Sequence, residues 1–337
     1  MSLTCAGYFG GIGSGLLGAQ WAGFTPLWNY EPREFINAQT LRHAFPDMAY
    51  TPHKSTIPSG RIDLLIGQPD CKQFSNLGTK RKDRGKIHEL NFYDIDWFKF
   101  LQGVMFHHPN IFILENVPNV KKYFWFEDNR LFFKGFHGGK QHMGKLDNYT
   151  VITLDLRADA FGVPQTRKRT YVLGIKTAVL KDRAFSGPDF KKYVEWWTEF
   201  YADTNDEDLH YIGLTVERAF KRILPNARNN EPPRHTAERT RRMAELAPGE
   251  SYYGTQNNRR LFMDRPSGTI ASHCSRFVHP LEPRVLTVRE TATLMGFPQD
   301  FEFFGSETQQ LDQVGKAIVP QVAYYLALYL KSKLDEQ

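Results

Sequence analysis

Three groups of residues in this chain have the types and the placement of a reaction centre. In "LLIGQPDCKQFSNLG", residues 64–78, an apolar run enters a Gly67-Gln68-Pro69 turn and seats Cys71 between Asp70 and Lys72. A packing thiol belongs within a strand, whereas one just past a strand's carboxyl end lies where open α/β sheets form their ligand crevice. In "IFILENVPNV" a second apolar run ends in Glu115 and Asn116, and a carboxylate is costly to bury unless it is paired or working. In "FGVPQTRKRTYVLGI" Gln165, Arg167 and Arg169 recur at spacing two, so on an extended segment all three point to one face. Planar donors and acceptors so aligned suit a phosphate or an anionic intermediate. The structural alternatives are a capping or ion-paired Glu115 and a solvated edge strand carrying the arginines. Cys71 is then either a packing or a reactive thiol, accompanied by a carboxylate and by planar groups suited to an anion.

A fourth group reads as a binding loop. "YFGGIGSGLLGAQWAGF" places glycines at 10, 11, 13, 15 and 18 between an apolar strand and a helix. Such a loop turns tightly and approaches a ligand closely, and the helix start offers free N–H groups. Gly13, Gly15 and Gly18 satisfy the dinucleotide pattern, which alone is weak. The context strengthens it, because the next strand candidate ends at Glu31 in "WNYEPRE", where an acidic side chain accepts bonds from ribose hydroxyls. A nucleoside-containing cofactor is the favoured ligand.

Positioning these groups requires a sheet. Short apolar runs at 3–9, 25–30, 61–66, 111–114, 151–156 and 170–175 alternate with longer amphipathic stretches, as in a mostly parallel sheet covered by helices. The reading is an α/β, Rossmann-like architecture with a smaller lobe. Residues 1–175 and 263–337 form the catalytic part, the charged stretch 176–262 is a separate lobe or insertion, and 321–333 is a buried terminal helix.

The bulk composition is compatible with this. The chain has 337 residues, 41% hydrophobic, enough for a large core. No run approaches the roughly 20 apolar residues of a membrane helix, and no charged leader precedes an apolar signal core. A protein of the cytoplasm, without a membrane partner, is expected. Three cysteines, Cys5, Cys71 and Cys274, with no CxxC pair, argue against a disulfide framework and a zinc site. The net charge of +6 suits a polyanionic partner.

The motifs, taken in order, resemble the DNA cytosine-5 methyltransferase family across nearly the whole chain. "FGGIG" matches the cofactor loop, "GQPDCKQFS" is similar to Gly-x-Pro-Pro-Cys-Gln-x-Phe-Ser, and "ENV" is present. "QTRKR" matches Gln-x-Arg-x-Arg, and "RVLTVRETATLMGFP" and "QVGKAIVP" follow. The resemblance implies an S-adenosylmethionine-dependent enzyme that needs no metal and acts, as a monomer, on double-stranded DNA. Cys71 would add to cytosine C6, Glu115 would bond N3 and the exocyclic amine, Arg167 would lie near the cysteine and the base, and Gln165 and Arg169 would organise the pocket. Phe9, Gly11, Gly13, Glu31, Pro69, Lys316 and Ala317 would surround the cofactor. The target base must leave the stack to be reached. Ser75, Lys80, Arg81, Lys82 and Arg84, after the cysteine, would contact DNA, and 176–262 would read base edges.

The chain departs from the family in three places. Asp70 replaces the second proline and disfavours the thiolate unless Lys72 or Arg167 compensates. Ser55 stands where an acidic residue would bind the adenine amine. Lys316 replaces the asparagine of Gly-Asn-Ala, placing a cation near a sulfonium. Either Lys316 points to solvent or pairs with Asp70 and methylation proceeds, or the donor carries a carboxylate, as carboxy-S-adenosylmethionine does, and the product is 5-carboxymethylcytosine. A catalytically inactive DNA-binding module is a further reading, opposed by the intact Cys71, Glu115, Arg167 and Arg169. An RNA substrate is opposed by the absence of a Cys-Phe-Thr signature.

Overall fold

A computed structural model of the chain describes residues 2–32, 35–52, 57–70, 96–134, 140–181, 185–203, 213–251, 258–272 and 276–334. The first run becomes β1 (Thr4–Tyr8), which enters α1 (Ser14–Trp21) and returns as β2 (Thr25–Tyr30). Next come α2 (Phe35–Ala44), β3 (Ala49–Thr51), β4 (Leu64–Gly67), α3 (Asp96–His107) and β5 (Ile111–Asn116). The strands β6 (Phe124–Glu127), β7 (Arg130–Lys134) and β8 (Lys140–Lys145) precede β9 (Tyr149–Arg157) and β10 (Lys168–Lys176). Among the described residues, the main sheet has seven strands in the order β3-β2-β1-β4-β5-β10-β9. The pairs from β3 to β5 are parallel. β10 runs antiparallel between β5 and β9.

Because side chains alternate along a strand, the central strands serve two cores. Cys5, Leu64, Ile66, Ile111, Ile113, Tyr171 and Leu173 face one. Ala6, Leu65, Phe112, Leu114 and Val172 face the other. The first core is closed by α9 (Pro320–Ser332), which lies against α1. A Cβ on Gly18 of α1 would come within 2.3 Å of the Pro320 carbonyl and 2.7 Å of Ala323 Cβ, so the third glycine of the pattern permits helix packing.

The strand at 61–66 is shorter than the sequence suggests and begins at Leu64. Asp63, just before it, is buried and uses its carboxylate as a staple. It accepts from Thr4 N–H at 2.8 Å and from Asn110 Nδ2 at 2.9 Å, joining the amino edges of β1 and β5. The strand at 111–114 extends to include Glu115 and Asn116. A second sheet, β6-β7-β8, is not anticipated by the sequence. It forms the crossover between the parallel strands β5 and β9, a place usually taken by a helix. Phe124 stacks on Trp97 of α3 at 4.4 Å between centroids, and Leu131 joins the same core.

In the stretch 176–262 the described α-helices are α4 (Gly187–Asp203), α5 (Val216–Lys221) and α6 (Ala237–Ala244). Phe185, Phe190, Val216 and Ala219 belong to the first core of the main sheet. Met243 forms a small cluster with Val278 and Val285. After α7 (Val288–Leu294) and α8 (Glu307–Lys316), α9 confirms the terminal helix, one residue earlier than read. Among the described residues no helix is long and apolar enough to cross a membrane.

Candidate active site

The carboxyl ends of β1, β2, β4 and β5 lie along one edge, and each delivers a candidate residue there. β1 runs into Phe9, whose φ of 60° is unusual for a side chain of this size. Its N–H donates to the Tyr30 carbonyl at 2.8 Å, and its ring packs against Tyr8 and Tyr30. Gly11 and Gly13 follow with φ of 56° and 81°, and Gly13 opens α1 without a side-chain cap. A Cβ on Gly13 would strike Leu41 at 2.6 Å, whereas nothing lies within 4 Å of one built on Gly11. Gly11 is therefore where the loop opens to a ligand. Glu31, buried at the end of β2, accepts the Gly11 N–H at 3.0 Å. An open glycine backbone, an uncapped helix start and an adjacent carboxylate fit the nucleoside and amino-acid portions of S-adenosylmethionine.

Glu115 is 2% exposed at the end of β5. Its register partner is Tyr171 of β10, and Arg169, two residues before Tyr171, stands diagonally across on the same face. Arg169 Nε lies 3.1 Å from Glu115 Oε1. That contact is ionic, and Oε1 receives no hydrogen bond. Burial raises the Glu115 pKa, against the opposing pull of Arg169, then Arg167, and a hydrogen bond with Gln68. The same burial, with the Glu115 charge nearby, raises that of Tyr171. A carboxyl so placed holds a proton more readily than one in water and can donate it as a hydrogen bond.

Gln165 and Arg167 are drawn into a different task. Gln165 Oε1 accepts the Ile270 N–H at 2.9 Å, and its Nε2 donates to the Leu294 carbonyl at 3.2 Å. The buried Arg167 guanidinium donates to the carbonyls of Ile270 at 2.7 Å, Gly315 at 3.0 Å and Ala317 at 3.1 Å. The two side chains clasp the segment at 270 and the α8–α9 junction to the start of β10. Arg167 also lowers the Glu115 pKa by its charge. Of the three residues at spacing two, it is Arg169 that meets Glu115 in an ion pair.

Lys316 ends α8, about half exposed, with its Nζ 3.5 Å from Asp312 on the same helix. Ala317 is buried beside it. Pro69 is buried at the end of the β4 turn, and its carbonyl accepts from Asn116 Nδ2 at 3.1 Å. Asn116 thus ties the end of β5 to the residues leading into Cys71. Its signal in the sequence is an amide ending an apolar strand beside a carboxylate. Cys71, Lys72, Ser75, Lys80, Arg81, Lys82, Arg84, Ser55 and Cys274 lie outside the described residues. Cys5 is a core thiol, fully buried, whose pKa burial raises. Among the described residues no cluster of metal-ligating side chains occurs.

Comparison with known proteins gives the family. A type II methyltransferase of Haemophilus parahaemolyticus is 27% identical, with 97% of this chain and 86% of its own length covered. One from Neisseria gonorrhoeae is 29% identical, covering 82% of this chain and 71% of its own length. The crystal structure of S. pombe Dnmt2 methyltransferase superposes with a TM-score of 0.63 at 14% identity over 99% of each chain, a likeness of fold. Residues 3–332 match the family described as C-5 cytosine-specific DNA methylase, and the chain belongs to that family.

Proposed function

We propose that this DNA cytosine-C5 methyltransferase works by adding Cys71 to C6 of a cytosine turned out of the duplex, with Glu115 bonded to the ring. The observation that carries the reading is Glu115 itself. It is buried, paired with Arg169, and has an Oε1 that accepts no hydrogen bond, at the edge where Asn116 anchors the turn into Cys71. Cytosine C5 is a poor nucleophile until a group adds at C6, and a thiolate does this well. Glu115 donates to N3 and accepts from the exocyclic amine, so the charge that develops as the C6–S bond forms is held in a low-dielectric site. Arg169 keeps the carboxyl in place. Gly11, Glu31, Phe9 and the start of α1 would hold S-adenosylmethionine, which supplies the methyl group that ends on C5. A water molecule takes the C5 proton, the C–H electron pair restores the C5=C6 double bond, and the C6–S bond breaks to release the Cys71 thiolate.

The basic residues from Lys80 to Arg84 would contact phosphates, and residues 176–262 would supply the polar groups that read base edges. The Asp312 carboxylate gives Lys316 a partner on its own helix. That supports methyl, rather than the carboxymethyl group of carboxy-S-adenosylmethionine, as the group transferred.

A duplex carrying fluorine at cytosine C5 tests the covalent step, because no proton is there to leave. The enzyme is expected to form a protein–DNA adduct that survives denaturation and to lose it in Cys71→Ala. An adduct in the variant, or turnover without an adduct in the native enzyme, would contradict the role of Cys71.

A further inference from the structure

Asn29 is fully buried on β2, beside Gly7 of β1 in the parallel register. Its carboxamide oxygen lies against the backbone of Gly7 and Gly10. A Cβ on Gly7 would come within 1.9 Å of Asn29 Oδ1, and one on Gly10 within 2.0 Å. Two of the glycines around the loop thus make room for an asparagine rather than for a ligand. Asn29 Nδ2 donates to the Gly11 carbonyl at 3.2 Å, while Glu31, two residues on and just past the strand's end, accepts the Gly11 N–H at 3.0 Å. Both polar atoms of Gly11 are gripped from one end of β2. Asn29 Oδ1, in contrast, is buried without a hydrogen-bond partner. A buried amide that leaves its acceptor unmade is costly, and an apolar side chain of similar shape would avoid that cost while losing the grip on Gly11.

We propose that Asn29 is a positioning residue for donor binding, holding Gly11 at its left-handed φ so that the open side of the loop is set before the donor arrives. The proposal rests on the reading of the Gly11 face as the S-adenosylmethionine site. A preset loop loses less conformational freedom on binding. The effect therefore falls on donor affinity, with the chemical step and DNA binding left alone.

Asn29→Asp keeps the shape that packs on Gly7 and Gly10 and removes the Nδ2–H donor; Asn29→Ala removes the carboxamide altogether. Donor titration by calorimetry and steady-state kinetics with saturating DNA give the readout. Both variants are expected to raise the Kd and KM for S-adenosylmethionine about 10-fold, roughly the worth of one buried hydrogen bond. Their kcat at saturating donor and their Kd for DNA should stay within about twofold of the native values. Unchanged donor affinity in folded Asn29→Asp would overturn the proposal, as would a loss confined to kcat or to thermal stability. Absence of donor binding to the native enzyme would overturn the site reading instead.

Discussion

The side chain that decides the chemistry is Glu115. It sits 2% exposed with one guanidinium beside it, and burial prevails over that cation, so its pKa is raised. For an acid the sign is fixed. Between the ordinary glutamate value and the raised one, the folded protein binds more protons than the unfolded chain, so stability falls as pH rises through that window. Glu115→Gln removes the titration and keeps a donor toward N3. Chemical denaturation across pH should show the native protein losing stability relative to the variant as the solution becomes more alkaline. The opposite trend would mean that Arg169 outweighs burial. In turnover, Glu115→Gln is expected to lower kcat by about 10²–10⁴-fold, the worth of a positioned acid–base group. At this scale the sequence was informative where chemistry restricts residue type. A carboxylate at the end of an apolar strand has few structural uses, and Glu115 was legible for that reason. Asn29 was not, because an amide within a strand has many.

The element that departs most from the sequence reading is the "QTRKR" segment. Spacing two suggests a common face, and the structure gives its arginines two separate tasks. Arg169 enters β10 and meets Glu115. Arg167, one step before the strand, holds the carbonyls of Ile270, Gly315 and Ala317. Those partners lie more than 100 residues away in the chain, so no local pattern announces them. Arg167→Met should leave three buried carbonyls without their donor and cost about 3 kcal/mol or more in urea denaturation. A loss under about 1 kcal/mol with kcat abolished would place Arg167 on the base instead. The β6-β7-β8 crossover was hidden for a related reason. A run such as "FWFEDNRLFF" is short and rich in aromatics, and a period of two over four residues separates strand from buried helix poorly.

For the molecule as a whole, the order of motifs along the chain carried more than any one of them. β1, β2, β4 and β5 deliver their residues to one edge because they run parallel, and Arg169 reaches the same edge because β10 reverses. That geometry follows from the alternation of apolar runs. The lobe reading of 176–262 is harder to judge from sequence, since charge patterning does not reveal that Phe185, Phe190, Val216 and Ala219 join the main core. The net charge of +6 bears on the DNA partner. The logarithm of DNA affinity should fall linearly with the logarithm of salt concentration, by about 0.9 per phosphate neutralised. A flat dependence would remove the basic residues Lys80 to Arg84 from the interface.

The most direct measurement is the mass of the nucleosides released from duplex DNA after incubation with S-adenosylmethionine and, separately, with carboxy-S-adenosylmethionine, with Cys71→Ala alongside. The account predicts 5-methylcytosine from the first donor, little product from the second, and none from the variant. Preferential carboxymethyl transfer, or unmodified cytosine with either donor, would contradict it.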